Sequence, residues 1–243
     1  MTLYRDEAVV LRTHKLGEAD RIVVLMTAGR GKVRAVAKGV RRTKSRIGGR
    51  LEPPGRVSLL IHEGRNLDVV NQVESIDHYR SIREELDRMT DALALVEAVD
   101  QVAQEGEANR PLYKMLAAAL HTLSEAPERP PVLVGAFYWK LLALEGVAPV
   151  LDDCVRCGSP EDLVAFDPVE GGVLCREHRR GAPLDPATLG LIRRILGGQL
   201  GSALSEPAGP ASSNASSLAT SALEAHIERR LRTVHLLGHV GIV

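Results

Sequence analysis

The first 76 residues alternate between short apolar segments and turn-forming residues. Within each segment, hydrophobic and polar positions follow one another with a period of about two, which is typical of strands with one buried face. Gly, Pro and Asn cluster between the segments and mark turns. The pattern predicts five strands, at Glu7–Arg12, Arg21–Met26, Lys32–Lys38, Arg56–His62 and Leu67–Val73. Five short strands in so short a stretch fit a small closed barrel, and the OB-fold is one such barrel.

After residue 78 the spacing of apolar residues lengthens to three and four, which is typical of helices with one buried face. The predicted helices begin near Ser81 and continue at Pro111–Leu123, Pro131–Leu144, Pro186–Leu196 and Leu218–Leu237. A turn-rich segment, 151–183, interrupts them. The stretch 201–217 is rich in Ser, Ala, Gly and Pro, a composition that predicts a flexible spacer.

The charge of the chain is balanced overall but unevenly distributed. There are 31 Lys and Arg and 31 Asp and Glu residues, so the formal net charge is zero. Residues 1–80 contain 16 Lys and Arg against 9 Asp and Glu, a net of +7, and the remainder therefore carries −7. A basic N-terminal third beside an acidic remainder suggests a polyanionic partner for the basic part.

The basic excess is concentrated in one stretch, because the chain has ten basic residues and no acidic one from Arg21 to Leu51. An exposed surface normally mixes both signs, which limits self-repulsion. A run of positive charges of this length, without a negative one, favours a polyanion-binding site over chance variation in surface charge. The candidate contact residues are Arg30, Lys32, Arg34, Lys38, Arg41, Arg42, Lys44, Arg46 and Arg50.

All three cysteines lie in the turn-rich segment, and together with one histidine they form two ligand pairs. Two residues separate Cys154 from Cys157 and Cys175 from His178, and 17 residues lie between the pairs. A two-residue gap lets each pair hold an ion from one tight turn, and thiolates with imidazole suit tetrahedral zinc. We therefore predict one zinc ion bound by Cys154, Cys157, Cys175 and His178. Four protein ligands leave no position for water or substrate, so the predicted zinc is structural.

No motif in the sequence indicates an enzyme. A zinc deaminase needs His-x-Glu before Pro-Cys-x-x-Cys, but Asp153 precedes Cys154, and the His-x-Glu at His226 comes later in the chain. The Gly-Arg-Gly-Lys segment at 29–32 lacks the Ser or Thr that follows the lysine of a P-loop. We expect a non-catalytic protein without a small-molecule substrate.

Several blocks of the sequence resemble one known family. They are 8–13 (AVVLRT), 17–23 (GEADRIV), 31–42 (GKVRAVAKGVRR), 44–46 (KSR) and 51–53 (LEP). These blocks resemble the DNA repair and recombination mediator RecO, and the Ala-Lys-Gly-x-Arg-Arg block is the most distinctive of them. The Cys-x-x-Cys that follows a helical region is similar to that of RecO members that carry zinc. The resemblance is strong over 8–54 and moderate over 154–178. Elsewhere it rests only on the order of the predicted domains.

The resemblance implies a recombination mediator. Such a protein has an N-terminal OB-fold, binds single- and double-stranded DNA and anneals complementary strands. With RecR it helps to load RecA onto strands that are coated by single-strand-binding protein, whose acidic C-terminal tail is a further partner. On this interpretation the nine basic residues named above are the DNA contacts.

Together these observations predict an α+β protein. We expect a five-stranded OB-fold barrel over 1–78, a helical domain over 79–150 and an embedded zinc-binding module over 151–183. The C-terminal helices, 184–243, continue the helical domain and contain the predicted spacer.

The sequence between Arg5 and His78 contains no Phe, Tyr or Trp, and this absence of aromatic residues predicts how the protein binds DNA. Many OB-folds hold single strands by stacking bases on aromatic side chains. We therefore predict that the contact with DNA is electrostatic, and that it accepts any base sequence and both single and double strands. Charge alone leaves two alternatives open, an RNA-binding module and a zinc-stabilised adaptor whose basic patch recognises acidic protein tails.

The sequence also carries expectations about location. It has no apolar run of about 18 residues that would predict a membrane span, and its N-terminus does not resemble a secretory signal. Three cysteines do not make a disulfide framework. We expect a cytoplasmic, nucleoid-associated protein.

Overall fold

The structure is a computed structural model that describes residues 2–42, 45 and 47–233. Lys44 and Arg46, two of the predicted DNA contacts, lie outside the described residues. The chain forms two compact units that divide between Glu125 and Ala126. The first unit contains the predicted barrel and also the helices that follow it, so it extends past the predicted domain boundary at residue 78.

Five strands form a closed barrel in the first unit. They are β1 Leu3–Leu16, β2 Asp20–Thr27, β3 Gly31–Ala37, β4 Arg56–His62 and β5 Asp68–Asp77. Their order around the barrel is β1-β2-β3-β5-β4, and β1 closes it by pairing with both β2 and β4. The pairs are antiparallel except β3 with β5, which is parallel. The predicted five-stranded OB-fold is confirmed.

The period-two pattern of the strands builds the barrel interior. In β4, Val57, Leu59 and Ile61 are buried and alternate with partly exposed residues. Burial of such a side chain contributes about 1.5–3 kcal/mol, so the alternation itself favours the strand. The strands β1, β2 and β3 fill the same interior with Ala8, Val10, Val23, Leu25, Ala35 and Ala37.

The long connection between β3 and β4 is anchored in the barrel. Val40 and Leu51 are buried in the interior cluster, and Ile47 packs against it. A 3-10 turn at Gly48–Leu51 carries Leu51 into this cluster. These apolar anchors hold the start of the connection, with its exposed basic residues, at the rim of the barrel.

Three helices pack on the barrel within the first unit. They are α1 Arg80–Glu84, α2 Leu86–Val102 and α3 Arg110–Glu125, and α2 and α3 contact β1. On the outer face of the barrel, Val9 and Leu11 of β1 and Val24 and Met26 of β2 are buried. These strands are therefore covered on both faces, which explains why their sequences are nearly continuous apolar runs.

Between Ala126 and Thr233, the part of the second unit that the structure describes, there are four further α-helices. They are α4 Leu133–Leu144, α5 Pro186–Leu196, α6 Leu200–Leu204 and α7 Pro210–His226. In the part of the chain that the structure describes, no helix has both the length and the apolar character needed to cross a bilayer.

The prediction of a flexible spacer at 201–217 is wrong. This stretch contains most of α6 and the first half of α7, and Ser212 and Ala215 are buried. Its small side chains allow close helix packing, because a Cβ placed on Gly135 of α4 would lie 2.6 Å from the Cα of Ser216. The helix predicted to begin at Leu218 therefore begins eight residues earlier, at Pro210, and ends at His226.

A small sheet carries the cysteine-bearing segment. Its strands are β6 Leu163–Asp167, β7 Gly172–Cys175 and β8 Ala182–Pro183, in the order β7-β6-β8. Phe166 of β6 packs edge-to-face on Trp139 of α4 at a centroid distance of 5.4 Å, and both rings are fully buried. The indole of Trp139 also donates a hydrogen bond of 3.1 Å to the carbonyl of Ala215 in α7. Trp139 thus joins the small sheet to two helices of the second unit.

The close approach of α4 and α7 predicts opposite effects of two glycine substitutions. Gly135→Ala places a methyl group against the backbone of α7, and we expect it to destabilise the second unit by about 1–3 kcal/mol. Gly190→Ala is the matched control, because Gly190 lies inside α5 with no atom within 4 Å of the added Cβ. It should stabilise the helix by up to about 1 kcal/mol. Urea unfolding of both variants measures the difference, and equal stabilities would contradict the close packing.

Candidate metal centre and nucleic-acid interface

The first ligand pair lies in a tight turn after Leu151. The amide of Gly158 donates to the carbonyl of Cys154 at 2.8 Å, and the amide of Cys154 donates to the carbonyl of Ser159 at 2.8 Å. Gly158 has a φ of +72°, a left-handed conformation that glycine adopts without strain. This turn holds Cys154, which is buried, and Cys157, which is exposed, on one side of the backbone.

The second ligand pair lies where β7 ends. Cys175 is the last residue of β7, and His178 is the last residue of the 3-10 turn that follows it. The antiparallel pairing of β6 with β7 sets the position of Cys175, which faces Leu163. Cys154 and Cys175 belong to a small buried cluster with Ala165 and Leu174. The module therefore has a minor apolar core directly beside the ligands.

The structure brings all four predicted ligands together, with their ligand atoms within 4.8 Å of one another. The Sγ atoms of Cys157 and Cys175 are 3.8 Å apart, and Nδ1 of His178 lies 3.3 Å from Sγ of Cys175 and 3.9 Å from Sγ of Cys154. A tetrahedral zinc with Zn–S bonds of about 2.3 Å requires neighbouring sulfurs roughly 3.8 Å apart. The four residues can hold a metal ion, and both the distances and the ligand chemistry fit zinc.

The surroundings of Cys154 favour the thiolate that a metal requires. Burial raises the pKa of this thiol, but hydrogen bonds from the backbone amides of Cys175, Arg156 and Cys157 lower it, with a net fall to about 6. At neutral pH the sulfur is therefore mainly a thiolate in the metal-free site. Since backbone amides do this, the turn geometry prepares the ligand without a neighbouring positive side chain.

The predicted DNA contacts lie in different environments. Lys38, Arg41 and Arg42 are exposed at the end of β3, where the connection to β4 begins. The guanidinium of Arg41 donates 2.9 Å to the carbonyl of Gly17 in the turn between β1 and β2. Among the described residues, neither Lys38 nor Arg42 forms an ion pair. This end of the barrel therefore exposes cations without ion-pair partners, beside the carboxylate of Asp20, which accepts from the amide of Gly39 at 2.7 Å. We call it the β3-end surface.

Lys32 is not on an open surface. Its side chain is only 13% exposed, and its ammonium group donates to the backbone carbonyl of Asp100 at 2.8 Å and lies 3.7 Å from Oδ1 of the same residue. Asp100, at 8% exposure, also pairs with Arg12 at 2.7 Å. Lys32 was predicted as a DNA contact from its place in the acid-free stretch, but in the folded unit its side chain is held by Asp100 near the end of α2.

The remaining predicted contacts that the structure describes, Arg30, Arg34 and Arg50, each have a partner within the first unit. Arg30 stacks over the ring of Tyr4 at 3.9 Å and lies 3.6 Å from Glu63. Arg34 lies 3.8 Å from Glu105. Arg50 donates 2.9 Å to the carbonyl of Val73. The middle of β3 is thus partly neutralised, whereas the β3-end surface is not.

The sequence prediction omitted two exposed basic residues that lie near the usual OB-fold ligand site, one at the end of a strand and one on a loop. Lys15 is exposed at the end of β1, opposite Arg21 of β2, and Arg65 is exposed in the loop between β4 and β5. In OB-folds, the face of strands 2 and 3 and the loops that follow strands 1 and 4 form the usual ligand site. An isolated basic residue forms no recognisable sequence pattern, so the position of Lys15 and Arg65 near this ligand site becomes visible only in the fold.

The metal centre yields a prediction about zinc content. Cys157→Ser should lower the zinc content from about one per chain and reduce the stability of the second unit, because the metal contributes folding free energy. Asp153→Asn is the control, since it alters a neighbouring charge and keeps all four ligands. Metal analysis with thermal unfolding checks both variants. A parent protein that folds without metal, or a Cys157→Ser variant with full zinc content, would contradict the site.

Zinc affinity should also depend on pH. Protonated thiols and imidazole cannot bind the ion, so affinity should fall as the pH is lowered. Since the pKa of Cys154 is about 6, this ligand should add to the pH dependence only below about pH 6. Equilibrium dialysis against buffers of fixed free zinc, from pH 8 to pH 5, measures the slope. A slope that already includes the proton of Cys154 between pH 8 and pH 7 would contradict the low thiol pKa.

Comparison with protein-family models covers nearly all of the chain. A model described as "Recombination protein O N terminal" matches residues 1–79, which contain all five barrel strands. A model described as "Recombination protein O C terminal" matches residues 83–235, which contain the four candidate metal ligands. The chain therefore belongs to the recombination protein O (RecO) family of DNA repair and recombination mediators.

Proposed function

We propose that this protein binds single- and double-stranded DNA without sequence preference and anneals complementary strands. The observation that carries the proposal is the β3-end surface, with Lys38, Arg41 and Arg42 exposed at one rim of an OB-fold. Lys44 and Arg46 follow in the same connection, and their sequence positions support a continuous basic loop there. The buried side chain of Val40 anchors the neighbouring segment in the barrel and so holds the charges of Arg41 and Arg42 in place for a phosphate backbone.

The proposed contact is electrostatic. Phosphate contacts position a protein on nucleic acid but carry no sequence information. The ring of Tyr4, which precedes the part of the chain without aromatic residues, is already covered by Arg30. A strand that is held by its phosphates keeps its base edges accessible, and annealing requires accessible base edges.

Family membership supports the wider role that we propose. In this role the protein acts with RecR to load RecA onto strands coated by single-strand-binding protein, whose acidic C-terminal tail it contacts. The chain has no catalytic activity in this proposal, and its zinc, held by four protein ligands, stabilises the fold. A cytoplasmic location on the nucleoid follows from the same role.

The proposal predicts how salt and substitutions change DNA affinity. Each phosphate contact on single strands contributes about 0.7 to the slope of log affinity against log salt. Lys38→Ala with Arg42→Ala should therefore lower the slope by about 1.4 and weaken binding equally for all sequences. Titration of a labelled oligonucleotide at several salt concentrations measures the slope, and an assay with complementary oligonucleotides measures annealing.

Lys32→Ala is the matched control, since this lysine belongs to the same acid-free stretch but contacts Asp100. It should reduce stability by about 1–3 kcal/mol, because the backbone carbonyl of Asp100 loses a hydrogen bond and its buried carboxylate loses a cation 3.7 Å away. Its salt slope should equal that of the parent. An unchanged slope in the Lys38 and Arg42 variant would instead favour the adaptor function, in which the basic surface recognises acidic protein tails. Preferential binding of RNA over DNA of the same sequence would favour the RNA-binding alternative.

A further inference from the structure

A second basic site lies on another face of the barrel. It is a cavity of about 540 Å³ beside β1, β4 and α3, entirely within the first unit. Four basic residues line it, contributed by three different elements: Arg5, Arg56, Arg110 and Lys114. Of these four, only Arg56 forms an ion pair with another described residue of the fold, so the other three need a separate explanation.

Arg56 forms the floor of the cavity together with an acidic and an aromatic residue. Its guanidinium donates to Glu7 at 2.7 Å and to the hydroxyl of Tyr113 at 3.1 Å, and Tyr113 donates to Glu7 at 3.0 Å. The hydrogen bonds from Arg56 and Tyr113 hold the pKa of Glu7 below its ordinary value. Glu7 is therefore paired mainly with Arg56 and attracts Arg110 more weakly, so it does not neutralise Arg5 or Lys114.

One face of α3 presents its charges to the cavity. Arg110, Tyr113, Lys114 and Ala117 line it, at spacings of three and four that place them on one side of the helix. Arg110 begins the helix, where the backbone amides already create a positive potential, so a cation there is unfavourable unless an anion binds nearby. Among the described residues, Arg5, Arg110 and Lys114 form no ion pair, and all three are exposed. The acidic residue that remains, Asp6, accepts hydrogen bonds from the backbone amide of Gly29.

This cavity is separate from the β3-end surface. Ala28, in the turn that precedes β3, lines the cavity, whereas Lys38 follows the opposite end of β3. The seven residues of β3 span about 20 Å. Between the two ends, Lys32 is paired with Asp100, and Arg30 and Arg34 lie near Glu63 and Glu105. Two uncompensated basic regions are therefore separated by a partly neutralised one.

We propose that the cavity lined by Arg5, Arg110 and Lys114 is a second nucleic-acid site, which takes the phosphates of the partner strand during annealing. The inference rests on the proposed function, because it assigns the first strand to the β3-end surface. Exposed cations bind an isolated phosphate weakly, but a strand with many phosphates releases counterions and binds cooperatively along its backbone. Two such sites on one compact unit hold two strands on the same molecule with their bases free to pair.

Two double variants test the proposal. Arg110→Ala with Lys114→Ala removes the second site, and Lys38→Ala with Arg42→Ala removes the first. The probe is fluorescein-labelled oligo-dT of about 12 nucleotides, which is within the site size of one OB-fold. Native mass spectrometry gives the number of strands bound per chain, titration gives each affinity, and complementary oligonucleotides of the same length give the annealing rate. Thermal unfolding checks that each variant remains folded.

The parent should bind two strands of oligo-dT per chain. The Arg110 and Lys114 variant should bind the first strand as tightly as the parent does. Its affinity for the second strand should fall roughly 25-fold at 0.1 M salt, because two phosphate contacts are lost. Its annealing rate should fall in parallel. The Lys38 and Arg42 variant should lose the tighter strand instead.

Several outcomes would overturn the second site while leaving the proposed function intact. One is an Arg110 and Lys114 variant that still binds two strands and anneals normally. Another is an Arg110 and Lys114 variant with lower affinity for the first strand, since this would show that both basic regions bind the same strand. A third is normal annealing combined with loss of binding to a labelled acidic peptide, which would make the cavity a protein site. If neither double variant changes DNA binding, the proposed function itself fails.

Discussion

The buried carboxylate of Asp100 fixes how the helices of the first unit lie on the barrel. It comes from the end of α2 and meets Arg12 of β1 and Lys32 of β3, so it ties one helix to two strands. A buried charge is tolerated only when it is paired and hydrogen-bonded, and removal of a partner is costly. This requirement gives Arg12 and Lys32 a structural role, and it removes Lys32, whose side chain is 13% exposed, from the open surface.

The distribution of the other charges follows from that contact. Because α2 ends over the middle of β3, the segment after it brings Glu105 close to Arg34. Uncompensated cations then remain at the two ends of β3, at Lys38 and Arg42 on one side and in the cavity beside α3 on the other. The positive charge of the first unit is thus divided into two regions, although the sequence shows one uninterrupted basic stretch.

The parts of the fold that could be predicted from the sequence are those that depend on local spacing. The five strands follow from period-two burial, and the metal ligands follow from two gaps of two residues. The role of Lys32 could not be predicted, because its partner Asp100 lies 68 residues away and no pattern links them. The first half of α7 was missed because Ser and Ala are read as spacer residues, whereas here they allow α7 to approach Gly135 of α4. The cavity was missed for a similar reason, since Arg5 and Arg110 meet only in the folded unit.

The central claim is that this protein holds DNA by its phosphates and not by its bases. It is tested most directly by comparing the affinity for oligo-dT with the affinity for an abasic strand of equal length, across a range of salt concentrations. The account predicts equal affinities and equal salt slopes, since the β3-end surface offers cations and no free aromatic ring. If bases stacked on the protein, the abasic strand would bind more weakly by about 1–3 kcal/mol for each base lost. A deficit of that size would contradict the account.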